Sequence, residues 1–171
     1  MYLQSIKLFA RYNERTNIEM NKIISELSHA QWEKQFNGYF NSIKSMCNHI
    51  YICDFNWLKR FSNLRQFKFI QNEMFNQTLG FDEVILLSIQ DYKEKRSKLD
   101  VSINEFVNEL KREDIEKDLK YIDSQGKEYT RNFGGLILHM LNHETHHRGM
   151  ISLYLEEMGI SNDYSNLMDI L

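Results

Sequence analysis

Residues 138 to 150 read LHMLNHETHHRGM, and within them His139, His143 and His147 recur at every fourth position with no helix breaker before Gly149. On an α-helix each step of four advances about 40° around the axis and rises about 6 Å, so successive imidazoles of this series share one stripe. Such an i, i+4 histidine pair is a standard helical donor of two ligands to one transition-metal ion. The stretch therefore predicts a long helix with a metal site on one face. His146 lies about 100° around the axis from His147 and is expected to point away from a site that uses His147. Spacing alone does not choose between His139 with His143 and His143 with His147.

An isolated histidine is usually a surface or hydrogen-bonded side chain. Here, however, four of the six histidines fall within nine positions at helical spacing, and that favours metal. Two histidines make only part of a site, whereas three neutral nitrogens plus an open position form a centre with room for water or a substrate atom. His49, in SMCNHIYICDFNWL among apolar neighbours, is the candidate third ligand. Imidazole must be neutral to ligate, so affinity is expected to fall in acid below its ordinary pKa of about 6.5. Zinc, nickel, copper and iron all suit imidazole, and the ligand type does not choose among them.

Composition bounds the rest. With 171 residues and 42% hydrophobic content, residues 1 to 171 fit one domain with a substantial core, and the absence of Pro and scarcity of Gly leave little to interrupt long helices. Net charge is −3 with both signs interspersed, which offers no footprint for a nucleic-acid backbone. Cys47 and Cys53 are six apart, fitting neither a CxxC motif nor a disulfide framework, and are expected to be free thiols in a reducing compartment. The opening MYLQSIKLFARYNERTN has no signal-peptide core and no window reaches a membrane span, so the expected location is cytoplasmic, with no membrane partner. Aromatic content of 13%, with Trp32, Phe36, Tyr39 and Phe40 close together, exceeds what one small bundle needs to bury and suggests a homodimer.

Periodicity predicts four long amphipathic helices. The first runs over residues 2 to 27, although Asn13 to Asn17 thins its apolar stripe; Ser28 then caps a short turn, with Gln31 completing a capping box. The second covers about 42 to 61. Residues 62 to 81 read as a loop with at most short helical turns. Two acids in Phe81-Asp82-Glu83 suggest the start of the third helix, which runs to about Lys98, with 100 to 110 either continuing it or forming a separate helix. SQGK within DLKYIDSQGKEYTRNF predicts a small β-hairpin, and the fourth helix spans about 135 to 158, stopping at Gly159. The tail SNDYSNLMDIL has room for one short helix. The expected fold is all-α, a four-helix bundle with a β-hairpin before the last long helix.

Two runs carry a family likeness over nearly the whole chain. FNSIKSMCNHIYICDFNWLKRF is similar to the helix-two signature, with its central histidine, of the DinB or YfiT-like metal-binding bundles, which are unrelated to the DNA polymerase sharing that name. ILHMLNHETHHRGMISLYLEEMGI resembles the same family's NHxxHHRGQ signature. That resemblance implies that the metal ligands are His49, His143 and His147, with His139 supportive. It also places Asp54, Trp57 and Arg60 in the first signature and Arg148 and Gly149 in the second. Met150 stands where the family usually has Gln. The resemblance further implies thiol transfer or isomerisation with a low-molecular-weight thiol cofactor at a divalent metal such as zinc, nickel or iron. Two function classes follow: a metalloenzyme activating a thiol or water against a small electrophilic substrate, or a non-catalytic metal-binding bundle. Glu144 and Asp54 are possible carboxylate ligands or bases, Asp54 and Arg148 alternatively a structural charge pair, and Arg148 a possible anchor for an acidic group on a thiol cofactor or a neighbouring helix.

Overall fold

A computed structural model describes residues 2 to 171. Four long helices, α1 (Tyr2–Ser25), α3 (Ile43–Phe61), α4 (Ile89–Glu109) and α6 (Phe133–Glu157), form the bundle. The short helices α2 (His29–Trp32) and α5 (Arg112–Ile115) lie in the connections, and the hairpin β1 (Asp118–Ile122) with β2 (Glu128–Asn132) precedes α6. Packing runs around a ring in which α1 touches α4 and α6, and α3 touches the same two. Each helix turns its periodic apolar face to the shared interior, where Ile6, Ile24, Met46, Phe55, Leu58, Leu99, Phe106, Ile137, Met140 and Ile151 are buried. Among the described residues no helix is long and apolar enough to cross a membrane.

The caps follow the sequence closely. Ser28 and Gln31 form the expected capping box, and Ser42 caps α3 by accepting from the Ser45 amide. The hairpin is antiparallel, with Tyr121 opposite Tyr129 and Gly126 taking the positive φ of 81° in its turn. Asn132 caps α6 by accepting from the Gly135 amide, so the helix begins at Phe133, two residues earlier than the pattern suggested. Gly159 adopts φ 73° immediately beyond the last turn. Residues 62 to 81 carry two 3-10 turns, Phe69–Gln71 and Glu73–Asn76, and a third, Leu167–Ile170, ends the tail.

One helix start needs correction. Phe81-Asp82-Glu83 lies in a turn closed by the Gly80 amide on the Glu83 carboxylate at 3.0 Å, and α4 begins eight residues after Phe81, at Ile89, capped by Ser88. Asn48 of α3 is the reason. Its carbonyl oxygen accepts from the Ile85 and Leu86 amides at 2.7 and 3.0 Å, and its amide nitrogen donates to the Glu83 carbonyl at 2.7 Å. These bonds hold the segment extended against α3 and take the backbone groups a helix there would need. Once begun, α4 runs unbroken to Glu109, so 100 to 110 continues it. Asn48→Ala is expected to cost about 1–3 kcal/mol through the unsatisfied buried groups it leaves. Amide exchange at Ile85 and Leu86 should accelerate in that variant, and unchanged exchange would refute this anchoring.

The aromatic cluster is largely absorbed within the chain. Trp32 is fully buried against Tyr92, Phe36 stacks on Tyr154 with ring centroids 4.2 Å apart, and Phe40 stacks on His49. Only Tyr39 of that group stays in solvent, at 92% exposure, so the surplus that motivated self-association reduces to one side chain. Cys47 and Cys53 are both buried free thiols.

Candidate metal centre

The centre lies between α3 and α6. His49 projects from the middle of α3, and His143 and His147 stand one turn apart on α6, so helix packing brings together residues 94 apart in sequence. His143 Nε2 is 3.1 Å from His49 Nε2 and 3.0 Å from His147 Nε2. A hydrogen bond between imidazoles needs one protonated and one bare nitrogen, and a single Nε2–H on His143 serves one neighbour at a time. One Nε2 this close to two others fits a shared cation better. With metal–nitrogen bonds of about 2.0–2.1 Å, ligating nitrogens stand about 3.3 Å apart around a tetrahedral ion and about 3.0 Å apart around an octahedral one. The donor set therefore fits a divalent transition metal.

The outer nitrogens are supported unusually. His147 Nδ1 lies 3.1 Å from Met46 Sδ, His49 Nδ1 is 3.7 Å from Cys53 Sγ, and His143 Nδ1 is buried without a partner. Ligating imidazoles ordinarily donate this N–H to a carboxylate or carbonyl. Here packing orients the rings instead, with Phe40 stacked on His49 at 4.1 Å and edge-on to His147 at 5.5 Å.

Cys53 also faces the centre, a residue that spacing arguments read only as a free thiol. Its sulfur is 3.6 Å from His49 Nε2, and the donor atoms of His49, Cys53 and His143 all lie within 4.8 Å of one another. The signal was present in the sequence, since Cys53 follows His49 by four residues, the spacing that marks the pair on α6. His139 and His146 are both exposed; His139 packs its ring against Trp57 at 5.5 Å, its centroid 6.2 Å from that of His143. His146 touches the His147 ring from the solvent side, with centroids 4.9 Å apart.

A chain with this bundle, hairpin and inward histidines can be placed. A DinB family model matches residues 1 to 168. The chain belongs to the DinB family. No curated protein sequence matches it significantly.

Beneath the centre of this DinB protein lies a buried polar network that ties all four long helices together. Arg96 of α4 donates to Asp54 of α3 at 2.6 Å and, through Nε, to Asp100 at 2.9 Å. Arg148 donates to Glu144 at 2.8 Å and to the side-chain oxygens of Asn13 and Asn17 on α1. Asn13 and Asn17 return bonds to the two Glu144 oxygens at 2.8 and 3.1 Å. Both Glu144 oxygens are thus engaged away from the histidines, which removes it as a ligand or base in this arrangement. Asp54 and Arg148 are structural charges of this network. Arg148 is buried against α1 and does not reach out to anchor a thiol cofactor.

Burial pushes the Asp54 carboxyl well above its usual range, helped by the nearby Glu144 charge and opposed by Arg96. Burial also works to raise Glu144, but Arg96 and Arg148 outweigh it and hold that group down. Arg96 and Arg148 thus face three acidic side chains, Asp54, Asp100 and Glu144, and the upward shift of Asp54 eases the excess of negative charge among them.

Burial lowers all three central histidines. His49 falls to about 4, with the charge of His143 adding to burial, and His147 to about 3, with His143 and His49 adding. His143 is lowered by burial and then by His139. Each ring is a neutral donor at pH 7, and proton competition with a metal moves below the ordinary region near pH 6.5 anticipated from imidazole alone. The same shifts act on stability. Between about pH 6.5 and 4 the unfolded chain binds protons that the folded metal-free protein does not, so stability should fall as pH falls through that window. Urea midpoints of metal-free protein measured down this range should decline, and the decline should shrink in a His49→Gln, His147→Gln variant.

Proposed function

We propose that this chain is a metal-dependent DinB protein in which His49, His143 and His147 hold one divalent transition-metal ion, zinc, nickel or iron, and present it to a thiol or water that attacks a small electrophile. The observation that carries this reading is the approach of His143 Nε2 to the Nε2 atoms of both His49 and His147, at 3.1 and 3.0 Å. Such an ion lowers the pKa of a bound thiol or water and so supplies a nucleophile at neutral pH.

The chain's own residues supply the setting. Neutral imidazoles leave the cation its full charge, and the Phe40 ring shields one side of the centre. A cavity of about 290 Å3, lined by Phe40, Ser42, Lys44, Asn48, His49 and the 81 to 84 segment, gives a small molecule room beside His49. The bonds from Asn48 to the Glu83 to Leu86 backbone fix one wall of that cavity.

Elemental analysis of protein purified without an affinity tag, expected to give about one ion per chain, tests the metal. Metal-dependent consumption of an epoxide or chlorinated arene with a cellular thiol, lost in His147→Ala, tests the chemistry. The second reading is a non-catalytic bundle in which the ion locks α3 to α6, and the nearness of Cys53 to His49 favours it by offering a further protein donor. Absence of thiol binding by calorimetry, together with no exchangeable ligand on a cobalt-substituted sample, would decide for that second reading. A homodimer remains part of the proposal; sedimentation at micromolar concentration showing only a species near 20.6 kDa would remove it.

A further inference from the structure

We propose that the cavity between the end of α3 and the β1–β2 hairpin binds a small aromatic monocarboxylate, anchored on the Arg60 guanidinium and stacked against the hairpin tyrosines. The site is separate from the metal centre. Arg60 follows His49 on α3 by three turns of helix, about 16 Å along its axis.

The charge of Arg60 lacks a partner of its own. A guanidinium carries five N–H donors, and among the described residues the one hydrogen bond from this group runs from Nε to the Ile122 carbonyl at 3.2 Å. Among the same residues no carboxylate pairs with it, whereas Arg65, Arg96 and Arg148, the other arginines that are not exposed, each hold one. Rings surround it instead. Its central carbon lies 5.0 Å from the Trp57 ring centroid, 5.8 Å from that of Phe81 and 5.9 Å from that of Tyr121. Cation–π contact fixes a guanidinium in place yet leaves its Nη hydrogens unbonded. Burial pulls the Arg60 pKa down, and the nearby Tyr121, Cys53 and Asp123 offset that only in part.

Arg60 borders a cavity of about 360 Å3, large enough for a one- or two-ring molecule. Tyr121 and Tyr129, opposite each other in the hairpin, line it with nearly parallel rings 5.6 Å apart. They make a flat wall on which an aromatic body can stack. Lys120 adds a second cation and Glu128 one carboxylate, while Asp123 is engaged in the hairpin turn, accepting from the Gln125 and Lys127 amides at 2.8 and 3.0 Å. Two cations against one carboxylate leave the lining positive by a single charge, which matches a monoanion better than a phosphate dianion. A guanidinium fork grips a carboxylate through two parallel N–H···O bonds.

Calorimetric titration of the full chain with 1-naphthoate tests the site, with neutral 1-naphthamide and ringless acetate separating the contributions of charge and ring. Naphthoate should bind at one per chain, about 10-fold or more tighter than either, the low end of what hydrogen bonds to a charged group contribute. Arg60→Met should lose about the same factor. Glu128→Gln, at an exposed strand position, removes the opposing charge and should tighten naphthoate by about 2- to 5-fold while leaving naphthamide unchanged, a readout that stands even if Arg60→Met fails to fold. Zinc-loaded and chelator-treated protein should bind naphthoate alike. Naphthamide or acetate binding as tightly as naphthoate, unchanged naphthoate affinity in folded Arg60→Met or in Glu128→Gln, or binding that requires zinc, each overturns the proposal; the last would seat the carboxylate at the metal centre instead.

Discussion

His143→Ala protein is expected to lose its metal. His143 is the hub of the centre, because its Nε2 is the atom that approaches both other imidazoles, at 3.1 and 3.0 Å. Disturbing merely an outer partner of a metal ligand costs about 10- to 100-fold in affinity, so removing the hub ligand should exceed the upper end of that range. The helices should remain, since the hydrophobic core and the buried polar network do not use the imidazole. His139→Gln is the matched control. That ring is exposed and packs on Trp57, and its loss should cost far less. Competition titration with a chromophoric chelator reads both affinities. Equal losses at the two positions would move the site one turn toward the start of α6.

The second large effect concerns stability. Replacing Arg96 with Met should destabilise the protein by about 3–5 kcal/mol, the cost of stripping one partner from a buried ionic group. Arg96 is 1% exposed and faces Asp54, Asp100 and Glu144 together, so the variant would leave three acidic side chains around an apolar one. Burial already raises Asp54 and Asp100, and Arg96 opposes that rise. Without the guanidinium these groups take up protons more readily than in wild type, so the stability difference should narrow as the pH falls. Arg112→Ala supplies the contrast. Its pair with Glu116 is 87% and 63% exposed and should contribute well under about 1 kcal/mol. Urea unfolding of the three proteins at neutral and mildly acid pH checks both halves of the argument, and a loss at Arg96 no larger than at Arg112 would contradict it.

The long helices, the capping box at Ser28, the hairpin and the halt at Gly159 were legible because each is a local matter of periodicity, capping or positive φ. The false start at Phe81 shows where that legibility ends. Two acids there satisfy a helix-start rule, but a side chain 35 to 38 positions away, Asn48, claims the backbone first. The candidate centre was partly legible for the same reason. His143 and His147 announce themselves on one helix, whereas their meeting with His49 depends on how α3 and α6 pack. Asn13 and Asn17 looked like a weakness in the first apolar stripe, yet they are buried partners of Glu144 and Arg148. Arg96 is hidden in the sequence because a charge within YKEKRSKLD reads as part of a solvated face. In fact it falls in helical register between the buried Tyr92 and Leu99.

The separation of His49 and His143 by 94 positions also sets a timetable. At a synthesis rate of about 5–20 residues per second, the α3 half of the centre waits roughly 5 to 20 s before its α6 partners have been made. During that interval His49 stands on a helix with no bundle around it and no imidazole from α6 beside it. On the proposed assignment, retention of an ion belongs to the end of translation, when α6 closes the ring of helices, and a nascent chain stalled before His143 should hold metal no better than an ordinary helical peptide.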